Sequence, residues 1–99
     1  MIKHALFVRL EAKSGKEKEL AQFMHSELDL ARQEDTTPVW LAPRLGPSTF
    51  GVFDAFTDVA GRQAHLSGLI AQALAANAPN LMAQPPSIER IDLLGAKLP

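Results

Sequence analysis

The 99-residue chain contains no cysteine. Disulfides, thiolate nucleophiles and Cys-ligated zinc or iron–sulfur centres are therefore excluded. The absence fits a reducing compartment, so a cytoplasmic location is expected. Neither sign of charge is in excess: 10 basic and 11 acidic side chains leave a formal net charge of −1. That balance gives no electrostatic footprint for nucleic acid or an anionic membrane, and neither is expected as a partner. No apolar run approaches the roughly 20 residues that cross a bilayer. The stretch from Met1 to Arg9 reads as a strand and lacks the long apolar core of a signal peptide. The three histidines stand at positions 4, 25 and 65, without the spacing of a metal-binding motif. A glycine-rich phosphate loop is missing too, and no motif asks for a cofactor, so none is expected.

What is present is one small domain over residues 1–99, with a 46% hydrophobic content ordinary for a globular chain. Residues 2–13 alternate, with Ile2, His4, Leu6, Val8, Leu10 and Ala12 on one face, which predicts a first strand. Ser14 and Glu17 have capping-box spacing. Leu20, Phe23, Met24, Leu28 and Ala31 then follow at helical spacing, which predicts an amphipathic helix over residues 15–33. Lys16, Lys18, Glu19, Glu27, Asp29 and Arg32 fill most of its remaining positions. Glu34 to Pro38 is a polar turn, and residues 39–45 are a second strand whose Pro43 marks an edge or a bulge.

Residues 49–56 form an aromatic-rich third strand. Asp58 is placed to cap a second helix. Gly68 divides that helix into two pieces, and Pro79 is expected to end it. Residues 87–97 alternate again and form the last strand. The order strand–helix–strand–strand–helix–strand is the ferredoxin-like βαββαβ arrangement, an α+β fold with a four-stranded antiparallel sheet and both helices on one face. The other face, toward which Phe7, Trp40, Phe53 or their neighbours point, needs a cover. A second copy packed sheet-to-sheet supplies it, so a homodimer is expected.

The run Leu6 to Glu17, Trp40, the segment Phe50 to Asp58 and Ala64-His65-Leu66-Ser67 resemble the antibiotic-biosynthesis monooxygenase family over most of the chain. The resemblance implies a dimeric α+β barrel and, among the family's activities, a cofactor-independent oxygenase acting on a small phenol, quinol or enol. Phe56 stands where the family has a tryptophan. The haem-degrading branch carries a histidine where this chain has Leu74 and an asparagine where it has Val8, so haem is not expected.

Two residues are candidates for catalysis. His65, with a pKa near neutrality and close to aromatic strands, would take a phenol proton; the alternative is a histidine hydrogen-bonded to a strand or loop carbonyl that fixes helix to sheet. Asp54, mid-strand among Phe50, Val52 and Phe56, would orient a hydroxyl; the alternative is an ion pair with Arg44 or Arg9 inside the barrel. Arg9 and Arg44 suit an enolate or carboxylate oxygen. Trp40, Phe50 and Phe56 would line an aromatic pocket for a planar ring, or serve core packing. The ligand expected on these grounds is small and aromatic or enolic. The alternatives are a dimeric barrel that only binds a hydrophobic metabolite and a small isomerase-like enzyme.

Overall fold

The alternation of the first strand decides which residues meet the helices. A computed structural model describes residues 2–99; Met1, part of the stretch read as a strand, lies outside them. Strand β1 spans His4–Glu11, and Leu6, Val8 and Leu10 are buried on its helix-facing side. Helix α1 (Glu17–Gln33) follows, then β2 (Val39–Leu41), β3 (Thr49–Phe56), α2 (Val59–Leu66), α3 (Leu69–Leu81) and β4 (Ser87–Asp92). The strands pair antiparallel in the order β2-β3-β1-β4. This is the expected ferredoxin-like α+β fold, with its second helical segment in two pieces.

Register sets the faces. Leu6 lies opposite Asp54, Val8 opposite Val52 and Leu10 opposite Phe50, and a shared pleat sends paired side chains to the same side. Val8, Leu10, Phe50 and Val52 join Leu20 and Met24 of α1 and Leu81 of α3 in the core. Ala5, Phe7 and Arg9 point to the other face with Ala55 and Phe53, beside Val39, Leu41 and Ile91 of the outer strands. Phe7 and Phe53 stay half-buried there, and Leu41 is 57% exposed. Trp40 pairs with Asp54 and packs against the core beneath the helices. On the uncovered face stand Phe7 and Phe53 themselves and, for β2, the neighbours of Trp40, Val39 and Leu41.

Several local boundaries differ from the sequence reading. Ser14 does not cap α1. Gly15 adopts φ +85°, a left-handed turn that suits glycine, and the helix begins after Lys16 with no side-chain cap. The Glu17 carboxylate reaches back only to the Gly15 amide, at 3.3 Å. Pro43 stops β2 at Leu41, and beyond it a single bridge joins Arg44 to Phe50. Asp58 caps α2 as expected, accepting from the Gly61 amide at 2.7 Å.

Gly68 ends the α2 turn and starts α3; a Cβ there would sit 3.3 Å from both the Ala64 carbonyl and the Glu34 carboxylate. Pro79 does not end α3, which continues to Leu81. So near a helix C-terminus, proline costs only the one amide donor and the ring contact one turn back. The last strand stops at Asp92, because β1, its pairing partner, begins at His4.

Leu10 is fully buried at the centre of this packing. Leu10→Ala is expected to lower unfolding stability by about 3 kcal/mol in urea titration. A loss below about 1 kcal/mol would contradict the core described above.

Candidate active site

The side chains with chemical potential collect at one end of the layer between sheet and helices. Asp54 sits in the middle of β3 on the helix-facing side and is wholly buried. His65 lies in the last turn of α2, 6% exposed, oriented by the helix that Asp58 caps. Glu34 is the residue that ends α1. The imidazole bridges the two acids: Nδ1 stands 2.7 Å from Glu34 Oε1, and Nε2 stands 2.7 Å from Asp54 Oδ2. Thr37 donates its hydroxyl to the same Glu34 oxygen at 2.8 Å. Neither Asp54 oxygen has a hydrogen bond of good geometry, so its contact with Nε2 is chiefly attraction between charges. The Phe56 ring closes the other side of the imidazole, with centroids 5.4 Å apart.

Burial alone would push the His65 pKa down. The carboxylates of Asp54 and then Glu34 outweigh it and raise the pKa to about 9. At neutral pH the ring is an imidazolium with both nitrogens facing carboxylates. With both ring nitrogens facing carboxylates, His65 is not placed as the near-neutral base expected of it. A second carboxyl missed by the sequence reading, Glu27 of α1, is only 1% exposed. Burial raises its pKa to about 7; the His65 charge opposes this and Glu34 adds to it. Neither Glu27 oxygen has a partner among the described residues.

Asp54, His65 and Glu27 line a cavity of about 280 Å³ whose other walls include Leu6, Val8, Val52, Leu66, Ile70, Leu74 and Ile88. Val8 and Leu74, the two departures from the haem-degrading pattern, are thus apolar wall. The remaining candidates are not brought here. Phe56 backs His65 without reaching the cavity, and Phe50 and Trp40 pack in the core. The Arg44 guanidinium lies over the Phe50 ring, 4.8 Å from its centroid, and Arg9 is exposed on the opposite sheet face beside Phe7. Asp54 therefore pairs with His65, and the alternative of an arginine partner inside a barrel is corrected. Among the described residues, no three His, Cys, Asp or Glu side chains converge as a metal site. No helix there is long and apolar enough to cross a membrane.

Glu27 was signalled by spacing. Leu20, Met24 and Ala31 form the buried stripe of α1, and Glu27 falls on the same stripe. Glu34 carried no such signal, lying 31 residues from His65 in a polar turn.

These features define a class: a ferredoxin-like α+β protein with a buried carboxylate–imidazolium–carboxylate chain on the wall of an apolar cavity. The chain belongs to the same family as the NE2512 protein of unknown function from Nitrosomonas europaea. The two are 63% identical, with a TM-score of 0.98 over 100% of this chain and 96% of that one. A second solved structure from Nitrosomonas europaea, named "Putative antibiotic biosynthesis monooxygenase", is 14% identical. Its TM-score is 0.79 over 93% of this chain and 90% of its own. A protein of the same name from Deinococcus radiodurans is 20% identical, with a TM-score of 0.77 over 96% of each chain. The ferredoxin-like α+β fold expected from the sequence is thus shared with these structures. No family model and no curated protein matches it.

Both raised pKa values have the same consequence for stability. A group whose pKa is higher in the folded state contributes fully below its unfolded pKa, and the contribution is lost as pH rises through the folded value. For Glu27 the window runs from 4.5 to about 7, and for His65 from 6.5 to about 9. The urea midpoint is expected to fall across both windows. Glu27→Gln should flatten the lower one and His65→Gln the upper one; a wild-type midpoint that rises from about pH 5 to about pH 9 would refute the assignment.

Proposed function

We propose that this protein is a monooxygenase-type enzyme that needs no bound cofactor and acts on a small planar phenol, quinol or enol. The observation that carries the reading is the Asp54–His65 pair on the wall of an otherwise largely apolar cavity. A volume of about 280 Å³ lies at the small end of ligand sites, which span roughly 300–1,000 Å³, and suits one or two fused rings. The ring of the substrate lies between Leu6, Val8 and Val52 of the sheet and Ile70 and Leu74 of α3. Its hydroxyl points to the polar part of the wall, where Asp54, His65 and Glu27 stand.

The imidazolium then has a clear task. A fixed positive charge in a site shielded from water stabilises the enolate or phenolate that forms beside it. Its carboxylate partners offset the cost of burying it. The electron-rich anion reduces molecular oxygen directly. One oxygen atom enters the ring carbon as a carbonyl, the substrate loses two hydrogens, and these leave with the second oxygen atom as water. Names of proteins with this fold, "Putative antibiotic biosynthesis monooxygenase" among them, support the reading by analogy of fold.

Oxygen uptake by protein freed of metal and flavin, against one- and two-ring quinols and naphthols, tests it. Uptake above autoxidation is expected, falling roughly 100-fold in Asp54→Asn. Binding of the same compounds without uptake would instead identify a ligand-binding protein. Enol–keto interconversion without uptake would identify an isomerase.

The apolar sheet face is the motive for a homodimer. Phe7, Val39, Leu41, Phe53 and Ile91 would be covered by the same face of a second copy. Light scattering at micromolar concentration should give twice the chain mass, and Phe53→Glu should give the monomer. A wild-type monomer would refute the sheet-to-sheet pairing.

A further inference from the structure

Glu27 is the polar group of the cavity wall that the His65 chain leaves unused. It lies on the buried stripe of α1 with Leu20, Met24 and Ala31, its side chain faces the same cavity as Asp54 and His65, and neither of its oxygens has a protein partner among the described residues. An unpaired carboxyl in such a place is destabilising, whether it carries its charge or merely lacks a hydrogen-bond partner. Methionine at that helical position would fill similar space without this cost. The other polar groups of the wall, Asp54 and His65, are paired with each other through Nε2, and Glu34, outside the wall, faces Nδ1.

We infer that Glu27 is the proton acceptor of the site, taking the proton from the hydroxyl or acidic carbon of a bound enolisable substrate. The inference rests on the cavity being the substrate site, and it assigns the base that an already protonated His65 cannot be. In the step, the substrate O–H or C–H bond breaks and an H–O bond forms on a Glu27 carboxylate oxygen. The bonding pair stays on the substrate as the enolate. One negative charge is removed from Glu27 as another appears on the substrate, so the cavity's net charge does not change. The new anion forms near the His65 imidazolium. Burial holds the Glu27 pKa near 7, where both forms are populated at neutral pH, as proton exchange with substrate requires.

Exchange of the acidic ring-CH₂ hydrogens of β-tetralone for deuterium, followed by NMR in heavy water under nitrogen, tests this without oxygen. The wild type should accelerate exchange over buffer, and Glu27→Gln should lower the accelerated rate roughly 100-fold or more. Glu27→Asp should retain part of it. Glu27→Gln and Glu27→Met both remove an unpaired buried charge. Each should therefore unfold at a urea concentration no lower than the wild type at about pH 8, which separates lost chemistry from lost fold.

Exchange unchanged in both Glu27→Gln and Glu27→Met, or no acceleration by the wild type, would overturn the role of Glu27. Exchange that depends on Glu27, in a protein that consumes no oxygen with any quinol or naphthol, would support Glu27 and overturn the oxygenase reading alone.

Discussion

The imidazolium of His65, held between the carboxylates of Asp54 and Glu34, is the interaction on which the rest of the site depends. It ties together the centre of β3, the last turn of α2 and the end of α1. Burying one charge alone would be prohibitive, and burying an imidazolium with one acid still leaves a ring nitrogen to satisfy. Two acids on opposite nitrogens meet both needs, and the Thr37 hydroxyl secures one of them. The same arrangement explains the break between α2 and α3. Gly68 passes close to Glu34, where a larger residue would press on the carboxylate.

The sheet supplies the frame for this chain of charges. Its register sets Asp54 beside Leu6 and Trp40, on the face that the helices cover. A shift by one residue would turn Asp54 toward the open face and Phe53 into the core. The apolar alternation of β1 and β3 therefore does two things at once: it builds the core and aims the one acid of β3 at the cavity. The opposite face keeps Phe7, Phe53 and Leu41, an apolar surface of the kind that a second subunit covers.

Much of the architecture could be read from the residues. Alternation revealed β1 and β4, the aromatic-rich run revealed β3, spacing revealed α1, and Asp58 and Gly68 marked the limits of the later helices. The errors were local. Ser14 looked like a cap because the pattern does not show that Gly15 turns left-handed before the helix begins. Pro79 looked like a terminus although the last turn of a helix tolerates proline. His65 and Asp54 were recognisable as candidates in an apolar setting, but the ion-pair partner considered for Asp54 was an arginine. Arg9 and Arg44 are near Asp54 in strand order only. One occupies the far face, and the other lies beyond the break that Pro43 makes in β2.

By itself the sequence determined the order of elements, the sheet and the apolar stripe on which Glu27 lies, because these follow from periods of two and 3.6 residues along the chain. It also settled that no thiol takes part in any chemistry here, since there is none. Only the tertiary structure decided that Glu34 meets His65 and that the histidine is charged. Pairing across 31 residues depends on how three elements pack. A histidine's proton affinity follows from the carboxylates and solvent around it rather than from its neighbours in sequence.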